Sequence, residues 1–240
     1  MTRYILKRLV LMIPIVLGIS FIIFTIISVT PGDPVQLIMG TDADPVLMEA
    51  KREEWGLNDN FLVRYAKYIG GVVTGDLGTS YRTGNSVAGE IAQRLPKTMV
   101  IALGGIGLSV LVGVPLGLIS AVKQYSFIDY FARVLAMLLT AIPAFWLGLM
   151  SLLYFCLKHR WLPATGGESA AGFILPVLVL AASATATQTR TTRSSVLEAI
   201  RQDYVKMARA KGVKESRVIF KHVLRNSILP VITIAGMNIG

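Results

Sequence analysis

Ten basic residues stand between positions 190 and 225 of this 240-residue chain: Arg190, Arg193, Arg201, Lys206, Arg209, Lys211, Lys214, Arg217, Lys221 and Arg225. Three acids, Glu198, Asp203 and Glu215, stand against them, so the segment carries +7. It is the one long cationic run between apolar stretches. Its chemistry is docking: such side chains pair with carboxylates, each exposed pair worth about 0–1 kcal/mol. Asp203 is placed to cap a short helix, its side-chain oxygen accepting from a first-turn amide. Gly212 is placed to end that helix, because glycine enters the left-handed conformation freely. A second helix is expected from Lys214 to Asn226, with Val218, Ile219, Val223 and Leu224 at helical spacing. The run therefore reads as helix, glycine hinge, helix; the alternative is a charged surface loop.

Bond-making chemistry has no matching residues. The zincin, nucleophile-elbow and Walker A patterns are missing. Gly70 and Gly75 carry the end glycines of a phosphate loop, but Asp76 and Leu77 stand where Lys and Ser/Thr are needed. His159 and His222 show no ligand spacing, and the single Cys156 builds neither a disulfide framework nor a zinc site. Any active process must draw its energy from a partner.

Long uncharged runs surround the basic segment. The chain is 53% hydrophobic and 16% charged, with mean hydropathy +0.61; soluble domains carry roughly 25% charged residues. Residues 9–30 form a first span, long enough for a hydrocarbon core of about 30 Å. The Pro31-Gly32-Asp33-Pro34 that follows is no signal-peptidase site. Residues 98–122 form a second span, in which Gly113 and Gly117 allow close helix approach and Pro115 is a kink site. Residues 123–133 read as a polar turn, 134–157 as a third span containing Pro143, and 158–168 as a loop. Residues 169–189, rich in Ala, Ser and Thr, form a fourth span packed among helices. Residues 228–240 are apolar but too short to span alone. None of these spans holds an ionisable side chain except Cys156, which counts against a proton-coupled carrier. Arg190 and Arg193 read as interface anchors rather than substrate contacts, Thr185, Thr187 and Gln188 as packing residues with lining of a path as the alternative, and Trp146 and Trp161 as core and interfacial aromatics.

Residues 31–97 carry −2 and contain two expected helices. One starts at Asp44-Pro45 and ends at Gly56. The other is amphipathic through Phe61, Leu62, Tyr65, Tyr68, Ile69 and Val72. Residues 1–8 carry +3. Positive charge resists translocation, so the +3 and +7 segments are expected in the cytoplasm and residues 31–97 outside. The net +10 is then explained by an anionic membrane surface rather than nucleic acid.

The run Gln202-Asp203-Tyr204-Val205-Lys206-Met207-Ala208-Arg209-Ala210-Lys211-Gly212 resembles the cytoplasmic EAA loop of ABC importer permeases, most closely those for dipeptides, oligopeptides, glutathione or nickel. His222-Val223-Leu224-Arg225-Asn226, Pro230-Val231-Ile232, Gly75-Asp76-Leu77-Gly78-Thr79-Ser80-Tyr81 and Arg94-Leu95-Pro96-Lys97-Thr98 are similar to that subgroup as well. Lys206 stands where the general pattern has its glutamate, which puts that residue's role in doubt. The resemblance implies an all-α polytopic membrane helical bundle of the type I importer kind over residues 1–240. About four complete spans plus the start of a fifth are expected, with the carboxyl end apparently truncated. Residues 31–97 would form the external segment and 190–227 the coupling loop. It implies a second permease subunit, usually a different chain, two ATPase subunits binding ATP and magnesium, and an external solute-binding protein. No cofactor or metal is expected in this chain, which would lie in a bacterial or archaeal plasma membrane. Asp203, Tyr204, Met207, Ala208, Arg209, Ala210, Lys211 and Gly212 are the expected ATPase-coupling residues. No substrate-binding residue is identified.

Overall fold

The computed structural model describes residues 2–40, 43–164 and 169–238. It is helical throughout, with one isolated antiparallel bridge, Thr79 to Ser86, among the described residues. The chain divides into two compact units, Met1–Gln93 and Arg94–Gly240.

In the first unit α1 (Thr2–Val29) is followed by α2 (Pro34–Met39), α3 (Pro45–Glu54) and α4 (Phe61–Thr74). Asp44 caps α3, accepting from the Val46 amide at 2.9 Å, as its type and the following proline predict. The amphipathic pattern of α4 is explained by what it covers. Phe61, Tyr65 and Tyr68 meet Phe21 and Phe24 of α1 with ring centroids 5.1–5.7 Å apart. The Tyr65 hydroxyl also donates to the Leu17 carbonyl at 3.1 Å. Each such aromatic pair adds about 0.5–1.5 kcal/mol beyond its buried area.

Asp33 ties α2 to α3. One carboxylate oxygen accepts from the Val35 amide at 2.9 Å, the other from Arg52 Nε at 2.8 Å. Arg52 also pairs with Glu49, which accepts from Asn58 as well. The Arg52 guanidinium holds both carboxyls below their ordinary values. Groups lowered in this way contribute stability above the ordinary carboxylate range and lose it as pH falls through the folded values. Arg52→Ala should therefore move acid unfolding of this unit to higher pH. The check is Trp55 fluorescence in a Trp146→Phe, Trp161→Phe background, since Trp55 stacks on Tyr81 at 4.5 Å.

The second unit holds most of α5 (Val87–Val122), then α6 (Phe127–Ala141), α7 (Ala144–Ser151, continued by a π-helical segment Leu152–Lys158) and α8 (Ala171–Ile200). The short α9 (Asp203–Ala210) and α10 (Glu215–Arg217) follow, then a π-helical segment Val218–Leu224 that leads into α11 (Arg225–Met237). The close approach expected of Gly113 and Gly117 is present, between α5 and α8. A Cβ on Gly117 would lie 2.6 Å from the Thr189 carbonyl oxygen and 2.7 Å from Thr192 Cβ. Backbone stands in the way, so Gly117→Ala forces the helices apart. The expected loss is about 1–3 kcal/mol, measurable by denaturant unfolding in detergent.

Several boundaries differ from the sequence reading. The second helix starts at Val87 rather than near residue 98 and runs continuously through Pro96 and Pro115. The third span is not one rod: α6 and the Ala144–Lys158 helix meet at 92°. Pro143 causes the break, because its ring pushes Ile142 out of the helical region to φ −76°, ψ 122°. The turn read over 123–133 shrinks, since α6 begins at Phe127 behind a Ser126 cap that brings Asp129 into the helix. The fourth helix runs on to Ile200, eleven residues past the end of the uncharged run. The loop read over 158–168 lies partly outside the described residues.

The helix expected over 214–226 does not stop at Asn226 but continues through Pro230 to Met237. The stretch read as the start of a fifth span is thus the upper part of the basic helix. Among the described residues four helices are long and apolar enough to cross a membrane, or five if the bent pair counts as one span.

Candidate coupling site

α8 ends at Ile200, and Gln202 turns the chain with extended angles, φ −71° and ψ 150°. Asp203 is the first residue of α9, not its cap, and no side chain caps this end. Its carboxylate sits on the positive end of the helix dipole and takes Lys206 Nζ at 2.9 Å. The other end is as expected. Gly212 adopts φ +74°. Its amide donates to the Arg209 carbonyl at 2.9 Å, and that of Val213 donates to Ala208 at 3.2 Å. This pair of bonds is the Schellman closure.

α9 has two faces. Val205, fully buried, and Ala208, 8% exposed, point into the chain's own core. There they meet Leu118 and Ala121 from the end of α5, Val196 and Ala199 from the end of α8, and Val218, Ile219 and Val223 from the π-helical segment. Ala208, expected to contact a partner, is instead part of the seat. Tyr204 and Met207 point outward, 39% and 60% exposed, with Ala210, Lys211 and Gly212 also exposed. Arg209 and Lys206, expected to pair with a partner's acids, hold acids of their own chain. Arg209 makes a two-pronged bond to Glu215, at 2.6 and 3.1 Å. That fork crosses the Gly212 hinge and links α9 to α10. The elbow is therefore one block with the ends of three long helices.

Beside it lies a feature that the sequence reading missed. Asp129, fully buried in the first turn of α6, accepts from both arms of Arg193 of α8 at 2.7 and 2.9 Å. It also accepts from Ser120 Oγ of α5 at 2.6 Å and from the Tyr125 amide at 3.0 Å. Four polar bonds on one carboxylate join three helices. Arg193 is thus a structural clamp rather than an interface anchor, and ionisable groups do lie inside these helices. A signal was present: Asp129 is the only acid between Glu90 and Glu168. Gln188 is a packing residue as expected, its Nε2 donating to the Val231 carbonyl at 3.1 Å. Trp146 and Trp161 are both exposed, so neither is a core residue.

The stretch holding the elbow, residues 113–240, matches the model of the family described as Binding-protein-dependent transport system inner membrane component. Residues 1–102 match the model described as Binding-prot-dependent transport system membrane comp, N-term. The chain belongs to this family of ABC importer permeases. It is similar to the oligopeptide transport system permease protein AppB of Bacillus subtilis, with 42% identity over all of this chain and 79% of that protein. The dipeptide transport system permease protein DppB of Alkalihalophilus pseudofirmus is 35% identical over all of this chain and 80% of its own length. The glutathione transport system permease protein GsiC of Escherichia coli K12 is 36% identical, with 78% of its length covered. The permease is thus a multi-pass membrane protein and one subunit of a binding-protein-dependent ABC transporter. The elbow lies within the matched family region.

Proposed function

We propose that this permease forms half of the path for a peptide, in the range from dipeptide and glutathione to oligopeptide, and that α9 is where ATPase subunits move it. The names of the relatives support peptides over nickel, which only the motif resemblance suggested. The observation that carries the coupling reading is the two-faced α9. Its inner face is locked to the ends of α5 and α8 and to the π-helical segment Val218–Leu224, and its outer face presents Tyr204 and Met207 with no partner among the described residues. A push on that face is passed to the spanning helices rather than absorbed locally. ATP-closed and open ATPase dimers then favour different positions of the elbow and so different states of the path. ATP and magnesium belong to those subunits, and the hydrolytic chemistry with them.

In this reading a second, different permease chain completes the path, and a solute-binding protein delivers the peptide outside. The charge pattern supports an orientation with the amino terminus and the elbow in the cytoplasm, in a bacterial or archaeal plasma membrane. The test is reconstitution of the permease with its partner subunits and receptor in vesicles. Labelled peptide should enter only with ATP and loaded receptor. Entry that persists without ATP, or is driven by a proton gradient alone, contradicts the proposal.

A further inference from the structure

Next to the clamp, between α6 and α8, lies an open groove of about 650 Å³. Its charged lining is Arg133, Arg190, Arg193, Arg201 and Glu198, and its apolar walls include Met137 and Leu197. Arg193 is spent on Asp129. Arg133 stacks over Tyr130 at 4.6 Å and approaches Asp129 at 3.5 Å, but its buried Nε has no hydrogen-bond acceptor. The Arg190 and Arg201 side chains, both exposed, have no acceptor among the described residues. Counting Asp129, four guanidiniums face two carboxylates, so the groove carries +2 and favours an anion.

We propose that this groove binds the phosphate of an anionic phospholipid. Arg133, Arg190 and Arg201 would hold the headgroup, and Met137, 65% exposed, and Leu197 would lie along its glycerol and upper acyl region. The groove stands where the uncharged part of α8, residues 169–189, gives way to its cationic end. In a spanning helix such a change of composition marks the edge of the hydrocarbon core, and basic pockets between spanning helices at that level bind anionic lipid headgroups. A free phosphate would match the charge but make no use of the apolar wall. The site is separate from the outer face of α9, so it does not depend on the coupling proposal.

The test uses the complete transporter in nanodiscs of phosphatidylcholine with phosphatidylglycerol, released into detergent for native mass spectrometry. The wild type should retain phosphatidylglycerol in preference to phosphatidylcholine. Each of Arg133→Gln, Arg190→Gln and Arg201→Gln should lower that retention by about fivefold. The control Lys214→Gln, Lys221→Gln, at exposed lysines outside the groove, should leave it unchanged. Inorganic phosphate should not displace the lipid; if it does so fully, the site reads a free anion and the proposal falls. It falls equally if the three variants retain lipid like the wild type, or if a photocrosslinker at position 190 or 201 captures a partner subunit instead of lipid. Should Arg133→Gln fail to assemble, the exposed Arg190→Gln, Arg201→Gln pair carries the same expectation.

Discussion

Asp129→Ala should lower the stability of this permease by about 3 kcal/mol and abolish transport. The variant leaves Arg193 inside the helix bundle with no anion, and removing one partner of a buried pair costs about 3–5 kcal/mol. The low end applies because Arg193 keeps 18% exposure. Ser120 and the Tyr125 amide lose their acceptor as well. Asp129→Asn should be milder, since an amide oxygen still accepts one arm of the fork. Replacing the pair together, as Asp129→Leu with Arg193→Met, should restore most of the stability, because the cost lies in the orphaned charge. Denaturant unfolding in detergent checks all three. A stable Asp129→Ala protein would show that the clamp is incidental.

Val205→Asp is expected to uncouple the transporter more completely than any change on the outer face of α9. Val205 is fully buried in the seat of the elbow. A carboxylate there has no partner among Val218, Ile219, Val223 and Val196, and burying it costs several kcal/mol. The elbow should detach while the spanning helices stay folded, since α9 is only eight residues long. Proteolysis should then cut near position 205 in the variant and not in the wild type. ATP hydrolysis by the partners should continue without peptide uptake.

The fold was legible in the sequence to the extent that it depends on local periodicity and charge. The first helix, the caps at Asp44 and Gly212 and the aromatic stripe of α4 follow from spacing and residue type. The family was legible in the ordered motifs. The helix ends were harder to place, because a helix does not stop where hydrophobicity stops. α8 continues for eleven residues beyond its apolar run because Val196 and Ala199 still have a core to enter. α6 starts seven residues before residue 134 because Ser126 caps it and Asp129 finds Arg193.

The elbow divides in the same way. Its helix and hinge could be read from Asp203 to Gly212, but not which side was buried. Ala208 and Met207 are neighbours in sequence, and only the positions of the α5 and α8 ends decide that Ala208 faces in. The Arg209–Glu215 fork was hidden for a related reason: a basic residue beside an expected interface reads as a partner contact until the chain folds back. The Asp129–Arg193 pair joins residues 64 positions apart, a distance that no local pattern reports.

The central claim is that the outer face of α9 receives the motor's motion while its inner face carries none of the docking. Met207→Asp and Ala210→Asp alter that outer face and leave the seat of Val205 and Ala208 intact. Peptide uptake and ATP hydrolysis, measured together on the reconstituted transporter, decide the matter. The account predicts folded, assembled variants whose peptide uptake per ATP hydrolysed falls at least about tenfold, the loss of roughly 1.4 kcal/mol of coupling. Wild-type uptake per ATP in both variants would contradict it.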